Sequence, residues 1–404
     1  MPKLPLAIVL DGNQRSALAV VRSLGRRGVP VMVAEASQRA LAASSRFCQK
    51  FLQYPDPRTC PDEFCHWIEV VAGRCAGAVF LPMTDLTVPL VLRMRNELKG
   101  IRTVLPSSGA YQAVTDKYRL FELASAAGVK APRTTIVSRL NFSDLQAKGW
   151  SYPVVVKPRQ SVMRLKSGVQ KRSVRYAMSW NDVLQIAKET LLDDTDELLV
   201  QEYIRGRGAG VFALYEKGNA RFFFAHQRLR ETPPSGGVSV LCESVPLPEE
   251  GVTAIRSILD PLQWNGVAMM EFKIDDTGHL WLIEVNARFW GSLQLAVDCN
   301  ADFPWYAYQI AVGISPSVES QYVVGEQLRW WLGDLGNLYT RLRSPYWTPT
   351  IAHKIRALAE FSIPWRPRMH YEFFRLNDPR PSFAALGEYF RDLTSRRGRT
   401  RDRK

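Results

Sequence analysis

Residues 269–288 have the sequence MMEFKIDDTGHLWLIEVNAR, which reads as a β-hairpin because two apolar runs flank a polar turn rich in Asp, Thr and Gly. With Thr277–Gly278 as a two-residue loop, Glu271 lies directly opposite Glu284. With a four-residue loop over 275–278 the pairing shifts by two positions, and both side chains still share one face. The sequence therefore predicts two carboxylates close together on one face of a short hairpin.

Further polar groups belong to the same face. Asn286 follows Glu284 by two residues and joins the two carboxylates. Opposed like charges repel unless a cation lies between them, and carboxylate and amide oxygens suit Mg²⁺, with Mn²⁺ as an alternative. Arg288 projects from this face and is placed to hold a phosphate or carboxylate. The alternative is a plain solvated hairpin, but we expect Leu282 to place an apolar side chain beside Glu284.

Two other apolar strands end in a charged residue. Lys157 closes the run Val154–Val156 and is followed by Pro158. A buried lysine needs an anionic partner, such as a nucleotide phosphate, although a lysine that reaches solvent at a strand end is the alternative. Glu202 ends another apolar run, and at the hinge of an edge strand it and the following backbone can recognise adenine. A solvated strand end is an equally good interpretation of Glu202.

Two loops can bind anions. Arg228 and Arg230 lie on a strand that runs into a Pro/Ser/Gly loop, which suits an acyl phosphate or an acid substrate. A surface hairpin is the alternative for these arginines. The polar, basic loop 159–168 can close over phosphates, or it can be a solvated connection. It is a poor P-loop, because it has a single glycine.

The N-terminal third alternates strands and helices and predicts a Rossmann-like lobe. A strand over 6–10 leads into a helix over 17–24, which Gly28 terminates, and the next strand covers 31–34. Two more units follow, with strands over 78–82 and 103–106. The dinucleotide motif G-x-G-x-x-G is missing, so we do not expect this lobe to hold NAD or FAD.

The composition is that of a globular protein with several domains. The chain has 404 residues, a net charge of +14, and neither an apolar run of transmembrane length nor a signal-peptide pattern at the N-terminus, so we expect a cytoplasmic protein. The cysteines form no C-x-x-C pair, which favours reduced thiols over a zinc site near Cys60, Cys65, His66 and Cys75. The basic balance suits a polyanionic ligand such as ATP.

Taken in order, these motifs resemble the ATP-grasp superfamily, specifically its carboxylate–amine ligases. The resemblance covers roughly residues 5–315 and is carried by Asp116–Lys117, Val156–Pro158, Gln201–Ile204 and the 269–288 hairpin. It implies a mixed α/β and α+β multidomain fold with antiparallel sheets in the two ATP-grasp lobes. The implied units are a Rossmann-like lobe at 1–114, a small lobe with a lid at 115–200, a central lobe at 201–320 and a C-terminal extension at 321–404.

The resemblance also implies a role for each motif. Lys117 and Lys157 would contact nucleotide phosphates, and the adenine motif would comprise Gln201, Glu202, Tyr203 and Ile204. Glu271, Glu284 and Asn286 would bind Mg²⁺, and the catalytic residues would be Arg288 and Arg230. The substrate wall would include Asn13, Gln14, Asp85 and Arg228. The stretch 205–210, where many relatives carry an acid for the ribose, has none, so no ribose contact is assigned.

The implied reaction converts a carboxylate into an acyl phosphate, which a small-molecule amine then attacks. A thiol acceptor or a phosphorylated product is the nearest alternative on the same scaffold. A non-catalytic ATP-binding module or a membrane-associated scaffold is a second class, whose support is the aromatic segment Leu328–Leu332 and the basic tail. We expect instead that these aromatic residues pack against the body of the ligase and that the tail is solvated. Nucleic acid is not an expected partner, and a homodimer is compatible with the sequence.

Overall fold

The computed structural model describes most of the chain, and every structural statement below concerns that part. The described residues are 4–97, 100–138, 149–159, 163–165, 168–170, 174–191, 197–317, 321–344, 348, 350–363 and 367–401. Side chains are described in all of these except 96, 163–165, 168–170 and 392–401. Most of the loop 159–168, predicted to close over phosphates, therefore lies outside the described side chains.

The N-terminal lobe is a parallel sheet with helices, as expected for a Rossmann-like unit. Its strand order is β3-β2-β1-β4. The strands are β1 Ala7–Val9, β2 Val31–Glu35, β3 Cys48–Gln53 and β4 Val79–Leu81. The helices are α1 Arg15–Arg26, α2 Pro61–Arg74, α3 Thr87–Glu97 and α4 Ser108–Thr115. The predicted strand over 103–106 is wrong, because this edge makes only an isolated parallel bridge between Val79 and Arg102.

A second, smaller sheet follows. Its elements are α5 Lys117–Ala126, β5 Thr134–Val137, β6 Val154–Pro158, β7 Met163–Leu165, β8 Gly168–Gln170, β9 Arg175–Ala177, α6 Trp180–Thr190 and β10 Leu198–Glu202. The strand order is β5-β10-β6-β9, and β7 pairs with β8 as a separate hairpin. The expectation that Glu202 ends an edge strand is wrong, because β10 lies between β5 and β6.

The largest sheet has seven strands in the order β15-β14-β11-β12-β13-β16-β17. They are β11 Arg207–Glu216, β12 Asn219–Thr232, β13 Val238–Ser244, β14 Gly266–Ile274, β15 Leu280–Asn286, β16 Gln327–Arg329 and β17 Met369–Tyr371. The helices are α7 Glu249–Leu259, α8 Leu293–Asp298, α9 Phe303–Ala311, α10 Trp331–Arg343, α11 Ile351–Ser362 and α12 Arg380–Arg401.

The C-terminal segment is part of this central sheet. β16 pairs with β13, and β17 continues the sheet beside β16. Arg22 of α1 and Asp378 form a buried ion pair at 2.8 Å, which ties the segment after β17 to the N-terminal lobe. The segment 321–404, predicted as an extension, therefore contributes strands to the lobe that carries the 269–288 hairpin. No helix in the described ranges combines the length and apolarity needed to cross a bilayer.

The register of the β14–β15 hairpin differs from both predicted loops. Ile274 pairs with Leu280, so the loop contains the five residues 275–279. That loop alone would place Glu271 opposite Ile283, but a β-bulge at Ile283 restores the pairing of Glu271 with Glu284. The bulge also reverses the alternation of faces along β15, so the buried Leu282 does not share a face with Glu284 as predicted.

Candidate functional site

The hairpin brings its polar residues together. Glu271 and Glu284 are direct partners across β14 and β15. The Asn286 side-chain amide donates a hydrogen bond to Glu284 Oε1 at 3.3 Å, which joins all three predicted metal ligands. The Glu284 side chain is 32% exposed, so its carboxylate is open to an incoming ligand.

Two buried lysines approach the same hairpin from the small lobe. Lys117 is the first residue of α5, and its Nζ lies 3.9 Å from Glu284 Oε2. Lys157, near the end of β6, donates from Nζ to the carbonyl of Ile283 at 3.4 Å. It also lies 5.1 Å from the centre of the Phe121 ring. Both lysines predicted as phosphate contacts therefore converge on β15 beside the carboxylates.

An ion pair adjoining the two lysines fixes their relative positions. Asp116 caps α5 by accepting hydrogen bonds from the backbone of Tyr118 and Arg119. Its carboxylate also binds the Arg159 guanidinium at 2.8 Å. The Lys117 amide donates to the Arg159 carbonyl at 3.1 Å. The start of α5 and the end of β6 are therefore held together.

Burial and charge perturb the titration of this cluster. Burial and, to a smaller extent, the nearby Lys117 cation lower the pKa of Lys157 to about 7. Burial alone would raise the pKa of Glu284, but Lys117, Lys157 and Arg288 outweigh that effect and leave this pKa below its ordinary value. Burial raises the pKa of Glu271 despite the neighbouring Arg228. An anionic ligand beside Lys157 would therefore stabilise its charged form.

Arg228 binds one of the candidate metal ligands. Its guanidinium donates to both oxygens of Glu271, at 2.7 and 2.5 Å, and to Glu231 at 2.8 Å. It reaches over β11 at Gly208, where an added Cβ would lie 2.8 Å from Arg228 Cδ. It also donates to the carbonyl of Gly237 in the loop that follows β12. Arg228 therefore links that loop to the hairpin.

The two remaining catalytic candidates lie in different surroundings. Arg288 forms an ion pair with Asp85 of the N-terminal lobe at 2.9 Å, and this contact bridges the two lobes. Arg230 pairs with Asp334 of α10 at 2.6 Å. A β-bulge at Leu229 separates Arg228 from Arg230, and the two arginines bind different carboxylates. Arg288 therefore lies near enough to the hairpin for its charge to lower the pKa of Glu284. Arg230 instead contacts α10.

The predicted adenine motif lies at the end of β10. Gln201 is buried and donates to Thr134 Oγ1 at 2.8 Å, and the Glu202 amide donates to the Arg133 carbonyl at 2.9 Å. Tyr203 makes an edge-to-face contact with Tyr176 of β9 at 5.7 Å. The half-buried Ile204 follows as the chain leaves the sheet. Gln201 is therefore fixed within the sheet, and the next residues form a partly open hinge.

Tyr176 connects this hinge to the loop after β12. Its hydroxyl donates to the carbonyl of Ser235 at 2.9 Å. Ser235 and Gly237 belong to one loop, and Gly237 accepts from Arg228. A continuous set of contacts therefore runs from Tyr203 through Tyr176 and the loop to Arg228.

Comparison with known proteins identifies the fold. Residues 194–330, about a third of the chain, match a family profile described as ATP-grasp in the biosynthetic pathway with Ter operon. The folded chain is similar to an L-amino acid ligase from Bacillus licheniformis, with a TM-score of 0.59, 15% identity, and 78% of this chain and 75% of that one covered. The chain has the ATP-grasp fold.

Two further ATP-grasp structures have similar scores. The N5-carboxyaminoimidazole synthetase from Staphylococcus aureus, complexed with ADP, has a TM-score of 0.61 at 16% identity, with 81% of this chain and 82% of that one covered. The biotin carboxylase domain of the 2-oxoglutarate carboxylase from Hydrogenobacter thermophilus has a TM-score of 0.62 at 17% identity, with 79% and 72% covered. The search of curated proteins finds no match.

Two predicted wall residues, Asn13 and Gln14, lie just before α1. The Asn13 side chain donates to Ser37 Oγ at 2.9 Å and accepts from the Leu41 amide at 2.9 Å, which fixes the loop after β2. Gln14 is exposed at the start of α1. These contacts give Asn13 a structural role within the N-terminal lobe, and its place in the substrate wall stays a prediction.

Several residues of the site were not found from the sequence. They are Asp116 as an ion-pair partner, Arg159, Tyr176, Gly208 and Glu231. The paired charges Asp116 and Arg159 flank two motif lysines, and that proximity was a signal available in the sequence. Gly208 and Tyr176 act through contacts between distant segments, which no local pattern reveals.

Proposed function

We propose that this ATP-grasp protein is an ATP-dependent ligase that activates a carboxylate as an acyl phosphate and condenses it with an amine, releasing ADP and phosphate. The observation that carries the proposal is the convergence of Lys117 and Lys157 on a hairpin whose two carboxylates face each other. A nucleoside triphosphate with a divalent cation supplies the matching charges: its phosphates would pair with the lysines, and the cation would pair with the carboxylates. The names of the similar structures, which include an L-amino acid ligase, support C–N bond formation.

The donor set fits Mg²⁺, with Mn²⁺ as an alternative. Glu271, Glu284 and Asn286 offer hard oxygen ligands on one face, and the opposed carboxylates favour a cation between them. When bound, Mg²⁺ would neutralise phosphate charge and orient the transferred phosphoryl group. Arg228 already binds Glu271, so the charge of this carboxylate is compensated by a cation even before a metal binds.

The nucleotide would extend from the small lobe to the hairpin. Lys117 and Lys157 would hold its phosphates, and the motif Gln201–Ile204 would contact the adenine at the hinge after β10. Phosphate oxygens beside Lys157 would restore its positive charge, which burial disfavours in the free protein. We assign no residue to the ribose hydroxyls.

The proposed reaction consists of two successive displacements, in which residues of this chain stabilise the developing charge. In the first, a substrate carboxylate oxygen bonds to the γ-phosphorus as the bond to the bridging oxygen of ADP breaks. Lys117, Lys157 and Arg288 would stabilise the charge that develops on the phosphoryl oxygens. In the second, the amine nitrogen bonds to the acyl carbon as the bond from that carbon to the bridging oxygen breaks. Inorganic phosphate leaves with the bridging oxygen, and the nitrogen loses a proton.

The acid substrate would lie between the hairpin and the N-terminal lobe. The Arg288–Asp85 ion pair bridges these two regions, so both residues would contribute to the wall of that space. Arg228 of β12 would contact the substrate carboxylate. Arg230 is the second catalytic candidate. Because Arg230 pairs with Asp334, we place it farther from the reacting groups than Arg288.

The test is a screen for substrate-dependent release of ADP. The purified protein would be incubated with ATP, Mg²⁺ and pairs of carboxylic acids and amines, chiefly amino acids and sugar acids. We expect ADP release that requires an acid, together with a product whose mass equals acid plus amine minus water. A stable acyl phosphate as the product would remove the amine from this assignment. A thioester, formed when thiols are supplied in place of the amines, would make the acceptor a thiol. If the protein binds no nucleotide and releases no ADP with any pair of acid and amine, the ligase proposal is wrong.

A further inference from the structure

Helix α11 exposes its apolar residues to solvent. Ile351, Ile355 and Leu358 are 77%, 61% and 44% exposed. Their spacing of four and then three residues places them in one stripe along the helix. Ala357, on another face, is the residue of α11 that is fully buried. A helix of a monomeric globular protein normally turns its aliphatic stripe toward the core, so this helix is inverted.

Specific contacts fix the inverted orientation. Glu360 pairs with Arg341 of α10 at 3.2 Å, on the side away from the stripe. The backbone carbonyl of Phe361 accepts from the buried Arg329 of β16 at 2.7 Å. Thr350 caps the helix through the His353 amide. The stripe is therefore held outward by bonds to the central sheet and to α10.

A basic residue borders the stripe. The helical period of 100° per residue places Lys354 about 60° from Ile351, whereas Arg356 lies on the side of Glu360. The one acidic residue of α11, Glu360, is already paired with Arg341 and Arg356. The segment 321–404 contains 16 lysines and arginines against 8 acidic residues, so it accounts for +8 of the net charge of +14.

We propose that α11 docks on an anionic membrane surface, with its aliphatic stripe in the headgroup region. An exposed aliphatic stripe bordered by a lysine, on a segment with a net positive charge, is typical of an interfacial helix, whose long basic side chains reach the lipid phosphates. Three aliphatic residues bind weakly by themselves, and stable anchoring needs a second signal. The chain supplies one in the sequence from 391 to 404, which has seven basic and two acidic residues.

The charges favour this occupant over a second copy of the chain. A symmetric pairing of two α11 helices through the stripe would bring the Lys354 cations of the two copies close together. The stripe is also far smaller than the surface that a stable dimer buries, about 1,200–2,000 Å². An anionic lipid surface provides the opposite charge over the whole helix and needs no shape complementarity.

The experiment is vesicle flotation of the full chain. Vesicles would contain phosphatidylcholine alone or phosphatidylcholine with phosphatidylglycerol. We expect the protein to float with the anionic vesicles only, and the bound fraction to fall as salt rises. Ile355→Asp should lower the partition coefficient about tenfold or more, because it removes an inserted aliphatic group and adds a negative charge.

Two controls make the result specific. Ile314→Asp changes an isoleucine that is 49% exposed and precedes the C-terminal segment, and we expect it to bind vesicles as the wild type does. ADP formation in the absence of lipid should be unchanged in both variants, since neither residue belongs to the candidate site.

Three outcomes would overturn the proposal. The first is no enrichment on anionic vesicles. The second is equal binding by Ile355→Asp and the wild type, which would leave only nonspecific attraction of the basic tail. The third is a dimer in solution that Ile355→Asp dissociates, because the stripe would then belong to an interface between two copies.

Discussion

Arg228 of β12 binds both carboxylate oxygens of Glu271 on β14, at 2.7 and 2.5 Å, across the intervening strand β11. The contact is bidentate, and Arg228 is almost fully buried, so it is among the stronger ion pairs of the protein. Glu271 is also a proposed metal ligand. The guanidinium therefore compensates for the opposed carboxylates of the hairpin before any metal binds.

Arg228→Gln should make stability depend on divalent cation. Without the guanidinium, Glu271 faces Glu284 with no ion-pair partner of its own, and breaking a buried pair costs about 3–5 kcal/mol. Mg²⁺ can then replace the lost charge, so added Mg²⁺ should raise the melting temperature of the variant more than that of the wild type. Thermal unfolding with and without Mg²⁺ measures the difference. Arg221→Gln is the matched control, because Arg221 pairs with Glu216 at the other end of the same sheet.

Gly208→Ala should disturb the same contact without changing a charge. An added Cβ would lie 2.8 Å from Arg228 Cδ and 2.9 Å from Glu231 Oε1, so both side chains must move. We expect a loss of about 1–3 kcal/mol in unfolding free energy, with lower ADP formation. Gly109→Ala is the control, because nothing lies within 4 Å of its Cβ position. Unchanged stability and ADP formation in Gly208→Ala would mean that Arg228 adapts without loosening Glu271.

The sequence could predict what depends on local pattern. The apolar run before Lys157, the Asp116 cap and the hairpin that carries Glu284 each follow from a few adjacent residues. The bulge at Ile283 could not be predicted, because loop length and pairing must be known together. The reach of Arg228 over Gly208 depends on which strands are neighbours, and sheet order is set by contacts between distant segments. The entry of β16 and β17 into the central sheet was missed for the same reason.

Glu284→Gln should abolish ADP formation and leave the fold intact. The amide keeps the size of the side chain and can still meet Asn286, but it removes the charge between Lys117 and the proposed metal. We expect a loss of about a hundredfold or more in the ADP-forming rate. Circular dichroism should match the wild type. Glu69→Gln, on the exposed face of α2, is the control. Full activity of Glu284→Gln at ordinary Mg²⁺ would refute the metal assignment.

Tyr176→Phe should weaken the closure of the small lobe over the central lobe. The change removes the hydrogen bond from the hydroxyl to the Ser235 carbonyl and keeps the ring against Tyr203. A less firmly closed site admits water, so ADP release without an amine acceptor should rise by about two- to fivefold. The ratio of product to ADP measures this leak. Tyr152→Phe, on a tyrosine of similar exposure in the same lobe, should keep the wild-type ratio.

Lys157 should couple nucleotide binding to proton uptake. Burial and the Lys117 cation lower its pKa to about 7 in the free protein, and phosphate oxygens would raise it again. Near pH 8, where the free lysine is mostly neutral, binding of Mg²⁺–ATP should take up close to one proton, and near pH 6 almost none. Calorimetry in buffers of different ionisation enthalpy measures the uptake. Lys157→Met should abolish it, and zero uptake by the wild type near pH 8 would contradict the phosphate contact.

The same shift fixes the sign of a stability effect. The folded protein releases the Lys157 proton above a pKa of about 7, whereas the unfolded chain keeps it up to the ordinary value of 10.5. Between these values the unfolded state binds more protons, so this residue makes stability rise with pH across that window. The destabilisation is fully present below about pH 7, where the buried ammonium is charged. Lys157→Met removes the buried charge, so the gain in unfolding free energy over the wild type should be largest below pH 7 and shrink as pH rises. Urea unfolding at a series of pH values measures it, and a gain that grows with pH would show that Lys157 is stabilised as a cation in the free protein.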